Sequence, residues 1–169
     1  MVLILRDSWE KNGLGVKVLY SRPGVATQIL VGAEDSLFLV DVGDGALRDL
    51  LRVQNEFRGG LKAIFITHEH FDHVGGLFSL LDFLHMVGRT KPLSIVVPEP
   101  NMVVKAFVEA QRFFRTDKGE KVSFPIQVKD ISDQGELYLA PLKVRAFAVK
   151  HRGSTKLKPV GELIPAVGY

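Results

Sequence analysis

From Leu61 to Val87 the chain passes from an unbroken apolar run, through a turn crowded with histidines, into an amphipathic stretch. Leu61-Lys62-Ala63-Ile64-Phe65-Ile66 is too short for a stable helix and reads as a buried strand. Thr67-His68-Glu69-His70-Phe71-Asp72-His73 follows and holds three of the five histidines in the sequence. Gly75-Gly76 then leads into a helix expected over about 74–87, closed by Gly88. A strand, a loop of imidazoles and a helix, one after another, leave few folds open. They also leave few uses for the loop except holding metal.

Alternate residues of an extended or turning segment point the same way, so His68 and His70 can reach one ion. Asp72 and His73 are adjacent where the chain turns into the helix and can reach a second ion. With no cysteine in the chain, thiolate sites and disulfides are excluded, and imidazole with carboxylate suits zinc, iron, manganese or nickel. Residue frequencies put a chance match to His-x-His-x-Asp-His at roughly one in ten thousand. His85 stands alone in the following helix and reads as an ordinary helix residue.

The 169 residues are 46% hydrophobic and 24% charged, which suits a single domain, 1–169, with a real core. Strands are expected at Val2 to Leu5, Gly15 to Tyr20, Thr27 to Val31 and Ser36 to Val42. Turn signals at Asn12-Gly13, Pro23-Gly24 and Gly32 to Asp35 separate them, giving an antiparallel meander. A helix capped by Asp44 runs to about Phe57, with Leu47, Leu50 and Leu51 on one face and Gly59-Gly60 ending it. Leu93 to Val97 is a strand, and a helix over Asn101 to Phe114 repeats Val103, Phe107, Ala110 and Phe114 at helical spacing. Asp117 to Glu120 reads as a solvated loop. Strands follow at Pro125 to Val128, Glu136 to Leu139 and Leu142 to Val149, then a basic loop from Lys150 to Lys158 and the start of a strand at Glu162 to Tyr169. Strands first, then alternating strand and helix, imply an α/β (α+β) protein with sheet and helices in layers.

His68-x-His70-x-Asp72-His73 after an apolar strand resembles the signature of the metallo-β-lactamase superfamily. Leu39-Val40-Asp41-Val42-Gly43-Asp44-Gly45 is similar to its upstream Asp-x-Gly-x-Gly motif, which assigns Asp41 to support the metal ligands from behind. Val149-Lys150-His151-Arg152 is placed like its third motif, 78 positions past His73, making His151 the third nitrogen on the ion held by His68 and His70. The resemblance implies an αββα sandwich and two-metal hydrolysis, in which metal brings the pKa of water near 7. Asp72 would then orient the nucleophile as well as bind metal. Gly76-Leu77, Gly88 to Leu93 and Pro165 to Tyr169 look like the ribonuclease Z branch, which processes tRNA 3′ ends.

The family uses two further ligands, an aspartate bridging both ions and a last histidine. After His151 the sequence has no histidine or aspartate, and only Glu162 as a carboxylate, so the domain reads as incomplete or reduced at its C-terminal part. One tightly held Zn2+ and a weaker second site are expected, with Mn2+ or Fe as alternatives, unless a homodimer supplies ligands. The function expected is a metal-dependent phosphodiesterase or endoribonuclease of ribonuclease Z type acting on precursor tRNA. Lys150 and Arg152, with Lys156 and Lys158, would meet phosphates. The alternatives are a hydrolase of small esters, lactones, thioesters or β-lactams on the same fold, or an inactive metal-binding module. The net charge of +3 permits a polyanionic partner without demanding one. No leader and no membrane span are read from the sequence, so a cytoplasmic location is the expectation.

Overall fold

A seven-stranded mixed sheet, in the order β1-β2-β3-β4-β5-β6-β9, carries the molecule. The computed structural model describes residues 8–53, 57–117, 120–121, 124–152 and 163–169. β1 (Trp9–Lys11), β2 (Leu14–Arg22), β3 (Ala26–Ala33) and β4 (Ser36–Val40) form the antiparallel meander. Asn12 and Gly13, both at positive φ, make the first turn. α1 (Ala46–Val53) and α2 (Phe57–Gly60) lead to β5 (Leu61–Phe65), which lies parallel to β4. α3 (Phe71–Val74) and α4 (Leu77–Met86) lead to β6 (Leu93–Pro98), parallel to β5. α5 (Met102–Phe114), then β7 (Thr116–Asp117) paired with β8 (Glu120–Lys121), precede β9 (Ile126–Ile131), parallel to β6. β10 (Glu136–Leu139) and β11 (Leu142–Arg145) form a hairpin. Two short ladders end the chain: β12 (Phe147–Ala148) with β15 (Val167–Gly168), and β13 (His151–Arg152) with β14 (Leu163–Ile164).

The parallel strands are the most apolar because both of their faces are covered. Every residue of β6 is buried. Leu37 and Leu39, Ile64, and Leu93, Ile95 and Val97 face the helices, meeting Leu50, Leu77, Leu80, Leu81, Leu84, Val104 and Val108. Phe38, Ala63, Phe65 and Val96 face the other way, onto Leu137, Leu139, Leu142, Val144, Ala146 and Val167. Among the described residues no helix is long and apolar enough to cross a membrane.

Several elements differ from the sequence reading. The helix expected over 74–87 is two, and the first begins at Phe71, so Asp72 and His73 lie on helical turns. Gly75 and Gly76 keep αR backbone angles at that break. Of the helix expected to run to about Phe57, α1 is described as far as Val53 and residues 54–56 lie outside the described residues, while Gly59-Gly60, expected to end it, fall within α2. α5 turns Val104, Val108 and Gln111 inward, whereas Phe114 is 67% exposed. Apolar residues at neighbouring positions give that helix overlapping spacings, and tertiary packing chose among them. Residues 116–117 and 120–121 pair where a loop was expected, and β1 was not expected at all. The expected strand at Val2 to Leu5, and Lys156, Lys158 and Glu162, lie outside the described residues.

Candidate metal centre

The site forms where β4 and β5 end side by side. The chain leaves β4 through Asp41, which sits at φ +58, a backbone region a non-glycine residue seldom occupies. That conformation lets its amide donate to Phe65 O at 2.8 Å while its carboxylate turns under the histidine loop. Two glycines bring the loops into contact. A Cβ on Gly43 would lie 2.4 Å from Asp72 O, and one on Gly76 2.3 Å from Gly43 O. Backbone hydrogen bonds fasten the approach: Val42 N donates to His73 O at 2.7 Å and Gly76 N to Val42 O at 2.9 Å.

Asp41 gathers several donors. Its carboxylate accepts the Thr67 amide at 2.8 Å, the Thr67 hydroxyl at 2.8 Å and His73 Nδ1 at 2.7 Å. With Nδ1 donating, His73 keeps Nε2 as a lone pair, 3.5 Å from Asp72 Oδ2. The same Asp72 oxygen accepts the Gly24 amide at 2.8 Å, so the β2–β3 turn also reaches the site.

His151 comes from β13, more than 75 residues further along, yet its Nε2 lies 3.2 Å from His70 Nδ1. β13 is held in place by pairing His151 with Ile164, by Val149 N donating to Ala166 O at 3.0 Å, and by Val167 N donating to Thr67 O at 2.9 Å. Tyr169 anchors the end of that segment, donating its hydroxyl to Ile66 O at 2.9 Å. His68, His70 and His151 each offer one ring nitrogen, and the three lie within 4.8 Å of one another. His68 Nε2 is buried and has no hydrogen-bond partner among the described residues. A buried orphan is costly in a native interior, and three converging imidazoles with one such nitrogen fit a borderline divalent cation.

The electrostatics follow the burial. Desolvation, then the neighbouring His73, His151 and His70, push the His68 imidazole down to about 3, so it is neutral near pH 7. Burial, then His151, also lowers His70. Burial acts to lower His73, but the Asp41 hydrogen bond and charge, with Asp72, outweigh it and leave its pKa raised. Burial alone would raise Asp72; the Gly24 amide and His73 bring it below the usual carboxylate range.

Of the residues singled out in the sequence, the described ones fall as follows. His68, His70 and His151 converge, Asp72 and His73 face each other beside them, and Asp41 lies behind. Lys150 and Arg152 are exposed on either side of His151. His85 stays on α4, outside the cluster. Two residues without a sequence-level role also act here. Thr67 joins Asp41 to the loop, and Glu69 accepts the Val104 amide at 2.7 Å, tying the loop to the first turn of α5. Neither had a signal in the sequence, because both partners are distant in the chain.

The family model described as the metallo-beta-lactamase superfamily matches residues 21–147, three quarters of the chain. The chain belongs to this superfamily. Among curated relatives it is 31% identical over 148 residues to the "Ribonuclease Z" of Archaeoglobus fulgidus, covering 88% of this chain and 42% of the relative. It is 30% identical over 145 residues to the "Ribonuclease Z" of Gemmatimonas aurantiaca, covering 81% and 42%. The chain thus spans less than half the length of these relatives. Among solved structures, the short form of human tRNase Z superposes with TM-score 0.64 at 20% identity, over 90% of this chain and 62% of that one. The metallo-beta-lactamase fold protein YhfI of Bacillus subtilis gives 0.61 at 18%, over 91% and 56%. The superfamily fold expected from the histidine motif is the fold observed, and its members are built around divalent metal chemistry.

Proposed function

We propose that this protein is a metal-dependent phosphodiesterase, an endoribonuclease of the kind that trims precursor tRNA. The observation that carries the metal part is His68 Nε2, buried in a group of three converging imidazoles and without a hydrogen-bond partner among the described residues. The substrate part is supported by the relatives named Ribonuclease Z. His68, His70 and His151 would hold one ion, with zinc the best fit to nitrogen ligands and Mn2+ or Fe as alternatives. Asp72 and His73 would contribute to a second, weaker site. A bound divalent ion supplies Lewis acidity, lowering the pKa of water and drawing charge from a phosphoryl oxygen. Asp72, its carboxylate held by the Gly24 amide, orients the attacking water. Asp41 keeps His73 in the tautomer that leaves Nε2 available. Lys150 and Arg152, exposed on either side of His151, would meet backbone phosphates, with salt-sensitive affinity.

The test is metal analysis and hydrolysis by the 169-residue chain, with zinc or manganese supplied. One tightly held ion per chain, cleavage of a precursor tRNA and turnover of a simple phosphodiester are expected. Turnover of lactones or thioesters with none of either phosphodiester would sink the substrate assignment. Two tightly held ions per chain would sink the asymmetry.

A further inference from the structure

The Thr67 hydroxyl stands between a carboxylate and an imidazole. Its Oγ1 is 2.8 Å from Asp41 Oδ2 and 3.0 Å from His68 Nδ1. A hydroxyl has one proton to give, so only one of these contacts can be its donation. Asp41 is surrounded by donors, the Thr67 amide and His73 Nδ1 among them, and acts as an acceptor throughout. If Thr67 donated to His68 instead, two oxygen lone pairs would face each other at 2.8 Å. His68 would then also carry its proton on Nε2, the buried atom for which the described residues offer no acceptor. With the hydroxyl donating to Asp41, its lone pair accepts from His68 Nδ1–H, and Nε2 becomes a bare lone pair at the centre of the cluster.

We propose that Thr67 is a positioning residue that relays the Asp41 carboxylate to His68, fixing the Nδ1–H tautomer and freeing Nε2. One carboxylate thereby sets two imidazoles, His73 by direct contact and His68 through a hydroxyl. The two sit in different halves of the site, with ring centroids 4.0 Å apart. Asp41 therefore supports His73 and His68 by separable routes, and removing the hydroxyl should release only one of them. The consequence for affinity rests on the metal reading above; the tautomer does not.

The experiment reads ring tautomers by long-range 1H–15N correlation in the metal-free chain near neutral pH, and zinc affinity by competition with a chromophoric chelator. In the wild type, His68 and His73 should both be Nδ1–H. Thr67→Val keeps the β-branched shape and removes the hydroxyl. It should move His68 toward Nε2–H, leave His73 unchanged, and weaken zinc binding by about 10–100-fold, the usual loss for a partner behind a ligand. Thr67→Ser should restore both signals. A wild-type His68 found as Nε2–H overturns the proposal without any variant. So does a Thr67→Val protein with the His68 tautomer intact and zinc affinity within about twofold of wild type. Wild-type protein that takes up no zinc would count against the metal reading, and the tautomer signals would still decide the role of Thr67.

Discussion

The two ends of the parallel strands are built on opposite principles. At the amino ends Arg89 is buried, and its guanidinium donates to four backbone carbonyls, those of Arg58, Leu61, Lys91 and Pro92, at 2.6–2.9 Å. Its charge also lies over the Phe124 ring, 5.4 Å from the centroid. Burial lowers its pKa, yet each of these hydrogen bonds has a matched acceptor. At the carboxyl ends, Asp41 takes an unfavoured backbone angle and His68 has a buried nitrogen with no partner among the described residues. One end spends its polar groups on stability. The other leaves them unfinished, which is what a ligand site requires.

Mutation should separate the two. Arg89→Met strands buried carbonyls and should cost roughly 3–5 kcal/mol, the range for opening a buried charged network. Chemical denaturation would read this, and the zinc affinity of the remaining folded protein should stay within a few-fold of wild type. His68→Ala should do the reverse. Zinc affinity should fall by more than about 100-fold, beyond the loss for an outer partner, while the metal-free melting temperature drops only slightly. A comparable loss of fold in both variants would erase the contrast.

Gly43→Ala tests how tightly the loops are joined. Its Cβ would meet Asp72 O and Thr27 N at 2.4 and 2.6 Å, both backbone atoms that cannot swing away. A loss of about 1–3 kcal/mol is expected, as for overpacking, together with weaker zinc binding, because the shift would pass through Asp72.

The smallest effect is the pH response of the metal-free protein. His68 has a folded pKa of about 3, below its ordinary 6.5. Over that window the unfolded chain binds more protons, so the His68 contribution declines as pH falls from about 6.5 toward 3. His73 has the opposite sign. Its folded pKa is raised, so its contribution is present at low pH and is lost as pH rises through the folded value. Melting curves from pH 7 to 4 should therefore show a loss of stability that is reduced in His68→Ala. An identical pH slope in both proteins would contradict the burial of His68.

The histidine loop was legible because its candidate ligands are local. His68, His70, Asp72 and His73 fall within six residues, and the apolar strand ahead of them fixes where they emerge. Asp41 was reached through the pattern of glycines after it. Their spacing reflects a steric need: Gly43 allows a backbone approach that no side chain permits. The helix boundaries were less legible. Gly75-Gly76 is compatible with a helix start or a break, and only packing of Val74 and Leu77 into the core decides. The inward face of α5 was misplaced by one position for the same reason.

By itself, then, the sequence determined the strand–loop–helix unit and the superfamily, because each follows from residues close together in the chain. Tertiary structure alone decided the rest. It brought His151 to His70 by pairing β13 with β14, and set Thr67 between Asp41 and His68. It also left Nε2 of His68 without a partner among the described residues. A hydrogen bond across 26 residues, or a ring contact across 81, has no local propensity to announce it. Such contacts exist only once the sheet has brought the ends of its strands side by side.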